Sequence, residues 1–186
     1  MITKIEVSKI SKQSFMQKGF DIKGCIGCSA LCKDLCCRYG ADFDNESYDL
    51  VISNRILIEP LISRKIEDCF ENKWSNDKEF LGNNSIRSLT NDTGYCFFHR
   101  KEGRGCVLYE LVTSMNISRR LIPSICRLFP LTWEDSELYV YNEKEEYIRF
   151  YGCSCFEPEN ITSKNILETQ KAEITDIFAF SVKSEG

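Results

Sequence analysis

Proline and histidine are scarce in this chain, four and one among 186 residues. No apolar run approaches the roughly eighteen residues that a membrane-spanning helix needs, so no membrane partner is expected. Met1 to Gln13 alternates charged and apolar residues and lacks the continuous apolar stretch of a secretory signal, so the expected location is cytoplasmic. A basic surplus is missing as well. With 24 Lys and Arg against 28 Asp and Glu, the chain is not expected to bind nucleic acid, and Arg119-Arg120 reads as solvated surface. There is no Gly-rich loop of the kind that follows a strand and cradles a nucleotide. Internal repeats, low-complexity tracts and linkers are absent too, which predicts a single domain over residues 1–186.

Cysteine is what the chain has in excess. Five of the eleven fall within thirteen residues, as Cys25-Ile-Gly-Cys28-Ser-Ala-Leu-Cys32-Lys-Asp-Leu-Cys36-Cys37. Thiolates grouped this tightly repel one another and oxidise readily unless a cation or a disulfide framework neutralises them. A reducing compartment, an odd cysteine count and the adjacent Cys36-Cys37 pair all fit disulfides poorly. At 42% apolar and 28% charged, the chain has a globular composition and does not need cross-links to fold. The spacing therefore points to a metal.

Two further groups have ligand-like spacing. Cys96-Phe-Phe-His99 precedes Gly105-Cys106, and Pro123-Ser-Ile-Cys126-Arg-Leu-Phe-Pro130 precedes Cys153-Ser-Cys155. A Cys-x2-Cys such as Cys25/Cys28, or Cys96-x2-His99, brings two donors to one ion at low loop entropy. The expected metal ligands are Cys25, Cys28, Cys32, Cys36, Cys37, Cys96, His99, Cys106, Cys126 and Cys153. Cys69, isolated in an apolar pattern, reads as core filler, and only one of Cys153 and Cys155 need bind. Structural zinc takes four thiolates, or three and an imidazole, and an iron–sulfur cluster takes four cysteines. Neither ferredoxin spacing is present, and the Cys-x3-Cys-x2-Cys order of radical S-adenosylmethionine enzymes is missing, since the short gap comes first here. Zinc and iron–sulfur both stay open, and the number of candidates exceeds one mononuclear site.

In order and context these residues resemble the YkgJ-type cysteine-cluster family, a zinc- or iron-chelating domain. The resemblance rests on Cys28, Cys32, Cys36 and Cys37, on Cys96, and on Gly-Cys-x-Leu-Tyr at Cys106 to Tyr109. Pro-x2-Cys-Arg-x-Phe-Pro at Pro123 to Pro130 and a trailing Cys153 complete it. It implies chelation by Cys28, Cys32, Cys36, Cys37, Cys106, Cys126 and Cys153, with Cys25 and Cys96 as further candidates. Longer relatives of this cluster include flagellin lysine N-methylases. This chain is much shorter and lacks a nucleotide loop, so methyl transfer is not expected. In the Pro-x2-Cys-Arg signature, Arg127 is expected to offset thiolate charge or to donate hydrogen bonds to sulfur, and Phe129 to keep water away.

Periodicity predicts an α+β fold: a single compact domain with a cysteine-rich metal-binding centre, several helices and a small antiparallel sheet. Ile5 and Val7 alternate as in a strand. A helix over Cys28 to Cys36 would place Cys28, Cys32 and Cys36 on one face. Asp44 or Asn45 caps a helix bearing Leu50, Val51, Leu57, Ile58 and Leu61, with a break expected at Pro60, and Ile62 to Phe70 reads as a second helix. A polar loop is expected over Asn76 to Asn84, a short strand over Tyr95 to Phe98, and a helix over Val107 to Met115. Leu131 to Trp133 and Leu138 to Tyr141 read as a hairpin, Tyr147 to Tyr151 as a strand, and Ser163 as the cap of a final helix.

The expected function is a metal-binding protein with a redox or protein-modifying role. The alternative is a structural zinc module that binds a protein or peptide partner. A thiol enzyme using Cys96 and His99 has no triad spacing behind it, and the sequence names no reaction or substrate.

Overall fold

The computed structural model describes residues 2–20, 34–103, 105–143 and 161–181. Cys25, Cys28, Cys32, Cys153, Cys155 and the strand expected at Tyr147 to Tyr151 lie outside the described residues. The alternating amino terminus forms β1 (Ile5–Val7) and β2 (Lys9–Ile10), with Ile5 and Val7 buried and Glu6 exposed. Ser11 caps α1 (Lys12–Met16), which leads to β3 (Lys18–Phe20).

After β4 (Asp42–Asp44), the Ser47 N–H donates to Asp44 Oδ1 at 3.1 Å and starts α2 (Asn45–Ser53), as expected of an Asp cap. The break before α3 (Arg55–Ile62) falls at Asn54, whose side chain donates to the Leu50 carbonyl, and not at Pro60. Pro60 sits inside α3 because the carbonyl its missing N–H would have bonded belongs to Ile56, which is 83% exposed and open to water. Val51, Ile58 and Ile62 face the core, whereas Leu57 and Leu61 face solvent.

Ser63 takes a left-handed φ of 51° and ends α3. The helix expected over Ile62 to Phe70 is thereby reduced to a 3₁₀ turn at Ile66–Cys69. The expected polar loop holds β5 (Ser75–Asn76), a 3₁₀ turn at Leu81–Asn83 and the start of β6 (Asn84–Arg87). Tyr95 to Phe98 forms isolated bridges instead of a strand.

The helix α4 (Val107–Met115) occupies the expected range, and α5 (Ser124–Leu128) follows. β7 (Leu131–Glu134) and β8 (Glu137–Val140) make the expected hairpin. Its two-residue turn has Asp135 and Ser136 at φ 49° and 61°, the left-handed pair that matches strand twist. The carboxyl-terminal elements are β9 (Ile161–Asn165), α6 (Ile166–Thr169), α7 (Lys171–Ile177) and β10 (Phe178–Phe180). The cap is Asn165 and not Ser163: Asn165 and Glu168 exchange side-chain to backbone bonds in a reciprocal capping box.

Helix and sheet are mixed without βαβ alternation, and the described residues pack as one compact domain. The sheet differs from expectation. Four small pairings replace one antiparallel sheet: β4-β6-β5, β7-β8 with β2, β1-β10, and β3-β9. β1 runs parallel to β10 and β2 parallel to β8, because the amino-terminal strands add beside partners from distant sequence. Two cores result. One gathers Phe43, Val51, Ile58, Phe98 and Leu108, the other Ile5, Leu131, Leu138, Ile166 and Ile177. Ile125 packs against both, and a cavity of about 450 Å³ opens beside it.

Candidate metal centre

Short backbone links bring three cysteine groups together. Asp34 takes φ 54° and starts a 3₁₀ turn at Leu35–Cys37, so no continuous helix runs from the front cysteines into Cys36. The helix expected over Cys28 to Cys36 is thus interrupted at Asp34, and Cys28 and Cys32 lie outside the described residues. The Cys96 N–H donates to the Cys37 carbonyl at 2.8 Å, and Arg38 bridges Tyr95. His99 N–H donates to the Cys96 carbonyl at 2.8 Å, closing the Cys96-x2-His99 turn, while His99 bridges Cys106.

Cys126 arrives on α5, whose start is pinned by Asp44. The same carboxylate that caps α2 accepts the Ser124 N–H on Oδ2 at 3.2 Å. Tyr109 Oη adds a bond to the Cys126 carbonyl at 3.3 Å. Cys36, Cys37, Cys96, His99, Cys106 and Cys126 all line the cavity. Phe129, Trp133, Tyr139 and Tyr141 line it as well.

Enclosure decides the electrostatics. Burial, and then the neighbouring Cys96, push the Cys106 thiol up to about 12. Burial raises Cys126 well above the ordinary range, followed by Cys106, Cys96 and Cys36. Cys96 is raised by burial against a hydrogen bond shared with Ser88 Oγ at 3.3 Å. Without a cation these thiols keep their protons, and a soft ion would exchange for them. Among the described residues, no group of three or more Cys, His, Asp and Glu side chains is placed to hold a metal ion. Thiols are soft donors, the kind that a thiophilic cation prefers. A second fitting feature is Asp34 Oδ1, buried and without a hydrogen-bond partner among the described residues.

Asp34 was not apparent as a site residue from the sequence. Its position between Cys32 and Cys36 was the signal available. Its Oδ2 accepts the Gly105 N–H at 2.9 Å and lies 3.0 Å from His99 Nε2. Ser88, which also supports Ala41 N–H at 2.8 Å, carried no signal. Cys69 lies in the first core, fully buried, and donates to the Lys65 carbonyl at 3.3 Å, as expected of filler.

Arg127 departs from expectation. Its guanidinium bonds Glu173 at 2.5 Å and Asp176 at 2.8 Å, and its Nε donates to the Ile122 carbonyl at 3.1 Å. The charge is spent on α7 carboxylates rather than on sulfur, because two acids there reach a side chain that is only 4% exposed.

No described helix is long and apolar enough to cross a membrane. Comparison with family models, curated proteins and solved structures finds no match to this chain.

Proposed function

We propose that this is a metal-binding protein in which Cys36, Cys96, Cys106 and Cys126 hold zinc or an iron–sulfur cluster. Cys25, Cys28, Cys32, Cys37 and Cys153, which the YkgJ-type resemblance implies, and His99, which the Cys96-x2-His99 spacing suggests, complete the candidate ligand set. One observation carries the reading: thiols from three separate stretches of sequence line one cavity. Cys69 shows how a filler cysteine sits in this fold: fully buried, bonded to its own turn and, unlike the others, outside the cavity lining.

When bound, such a centre supplies either Lewis acidity or one-electron chemistry. The chain's own residues supply the rest. Asp44 and Tyr109 hold the α5 backbone that carries Cys126, Ser88 orients the Cys96 thiol, and the aromatic wall limits water. At about 450 Å³ the cavity is large enough to admit part of a peptide or a small molecule beside the thiols. That space favours a redox or protein-modifying role over a purely structural zinc module.

Differential alkylation with peptide mapping tests the assignment. Cys36, Cys96, Cys106 and Cys126 should be protected in metal-loaded protein and become reactive after chelation. Equal alkylation rates at all four with and without metal would remove them from the centre.

A further inference from the structure

We infer that Asp34 is a positioning residue for the metal centre: it holds His99 with Nε2 protonated and so leaves Nδ1 as the imidazole's ligand atom. The inference rests on the proposed metal centre and deepens it, because it adds a carboxylate and fixes one ring nitrogen.

The argument starts from the bonds. An ionised carboxylate only accepts, so the 3.0 Å contact between Asp34 Oδ2 and His99 Nε2 is a hydrogen bond in the tautomer that carries its proton on Nε2. The lone pair then belongs to Nδ1. The ring is also clamped by its stack on Tyr95, with centroids 4.5 Å apart and 29° between planes. Arg38 backs that tyrosine, its guanidinium carbon 5.1 Å from the ring centroid. Asp34 is fixed just as firmly: it is 3% exposed, and the Gly105 N–H occupies the same oxygen at 2.9 Å. One side chain thus ties the front cysteine segment to the Cys96–Cys106 loop.

A surface histidine with a convenient acid would need none of this burial. Asp34 Oδ1 makes the stronger case. It is a buried carboxylate oxygen with no partner among the described residues, and leaving such an atom unsatisfied is costly. A nearby cation lowers that cost. A carboxylate on the far nitrogen is also what orients a ligating imidazole and raises its basicity, and removing such a partner typically weakens metal binding by about 10–100-fold.

The chain's single histidine makes the test clean, because only one pair of imidazole nitrogens contributes to a ¹⁵N spectrum. The probe is ¹¹³Cd²⁺ added to the ¹⁵N-labelled full chain. The expected result is cadmium coupling at Nδ1 with the Nε2 proton retained. In chelator competition, Asp34→Asn should bind cadmium about 10–100-fold more weakly, and in a His99→Ala background it should cause no further loss. Cadmium bound with both ring nitrogens unmoved, or coupled to Nε2, would overturn the inference and leave the thiolate centre standing. An equal loss from Asp34→Asn in both backgrounds would do the same. Failure of the wild-type chain to bind cadmium at all would overturn the proposed metal centre and this inference together.

Discussion

Arg127 Nη1 lies 2.8 Å from Asp176 Oδ2, so the residue that follows Cys126 is anchored to α7. The other Asp176 oxygen takes Arg120 Nη2 at 2.5 Å, and Arg120 also bonds Glu46 on α2 at 2.8 Å. Arg119 adds a bridge to Glu173 at 3.1 Å. An ion-pair network, buried at Arg127 and half-exposed at Arg119, Arg120 and Glu46, thereby joins α2, α5 and α7, and the turn that presents Cys126 is part of it.

Removing the buried cation should be costly. Arg127→Ala removes one of two arginine partners from Glu173 and from Asp176, whose side chains are 15% and 13% exposed. Loss of one partner of a buried pair costs about 3–5 kcal/mol, and Arg119 and Arg120 place this case near the lower end. Urea unfolding should show a drop of about 3 kcal/mol. A change within experimental scatter would mean that the network contributes nothing to the fold.

The same network gives a pH dependence. Burial acts to raise the Asp176 carboxyl, but the hydrogen bonds and charges of Arg120 and Arg127 outweigh it and hold the group below its ordinary value. A carboxyl depressed in the folded state contributes stability above its unfolded value, about 3.9, and loses it as pH falls through the folded value. The stability gap between wild type and Asp176→Asn should therefore be flat from about pH 5 upward and should close toward lower pH. Unfolding curves across that range check it, and a gap that widens in acid would contradict the assignment.

Local patterns were the most readable part of the sequence. The Asp44 cap, the α4 range and the β7–β8 hairpin each depend on neighbours within a few residues, and each stands where expected. The β1–β10 and β2–β8 pairings join residues far apart in the chain, and periodicity carries no information about such partners. Pro60 misled for a related reason: its cost depends on whether the Ile56 carbonyl meets water, which only the packed structure decides. For the cavity, Cys36, Cys96, Cys106 and Cys126 stand out in the sequence by their spacing, and all four line it. Asp34, Asp44 and Ser88 act through hydrogen bonds to residues distant in sequence and leave no spacing signal. Arg127 was noticed for the right neighbourhood and assigned the wrong partner, since Glu173 and Asp176 lie more than forty positions away.

Cys126→Ser and Cys69→Ala should separate ligand from filler. A hydroxyl is a much poorer ligand for a soft ion, so Cys126→Ser should lower bound metal. Cys69→Ala should keep its metal while losing roughly 1–2 kcal/mol of stability from the buried side chain. Metal analysis beside thermal unfolding reads both. Metal loss from a folded Cys69→Ala protein would put that thiol in the centre.

Gly40 offers a test of the scaffold beneath Cys96. It takes φ +75°, and an added Cβ would stand 2.3 Å from the Ser88 carbonyl oxygen. Gly40→Ala must strain the backbone and push Ser88, the partner of Cys96, out of place. A loss of about 2 kcal/mol or more is expected in chemical unfolding. An alanine variant as stable as wild type would show that this close approach relaxes freely.

The most direct test of the central claim is elemental analysis of the full chain, produced without a metal-binding tag and purified without oxygen. Stoichiometric zinc, or iron with sulfide and a brown colour, is the expected result, with metal lost from a Cys106→Ser/Cys126→Ser variant. A folded wild-type chain that carries no metal, takes up neither zinc nor iron, and shows the same unfolding transition with or without chelator would contradict it.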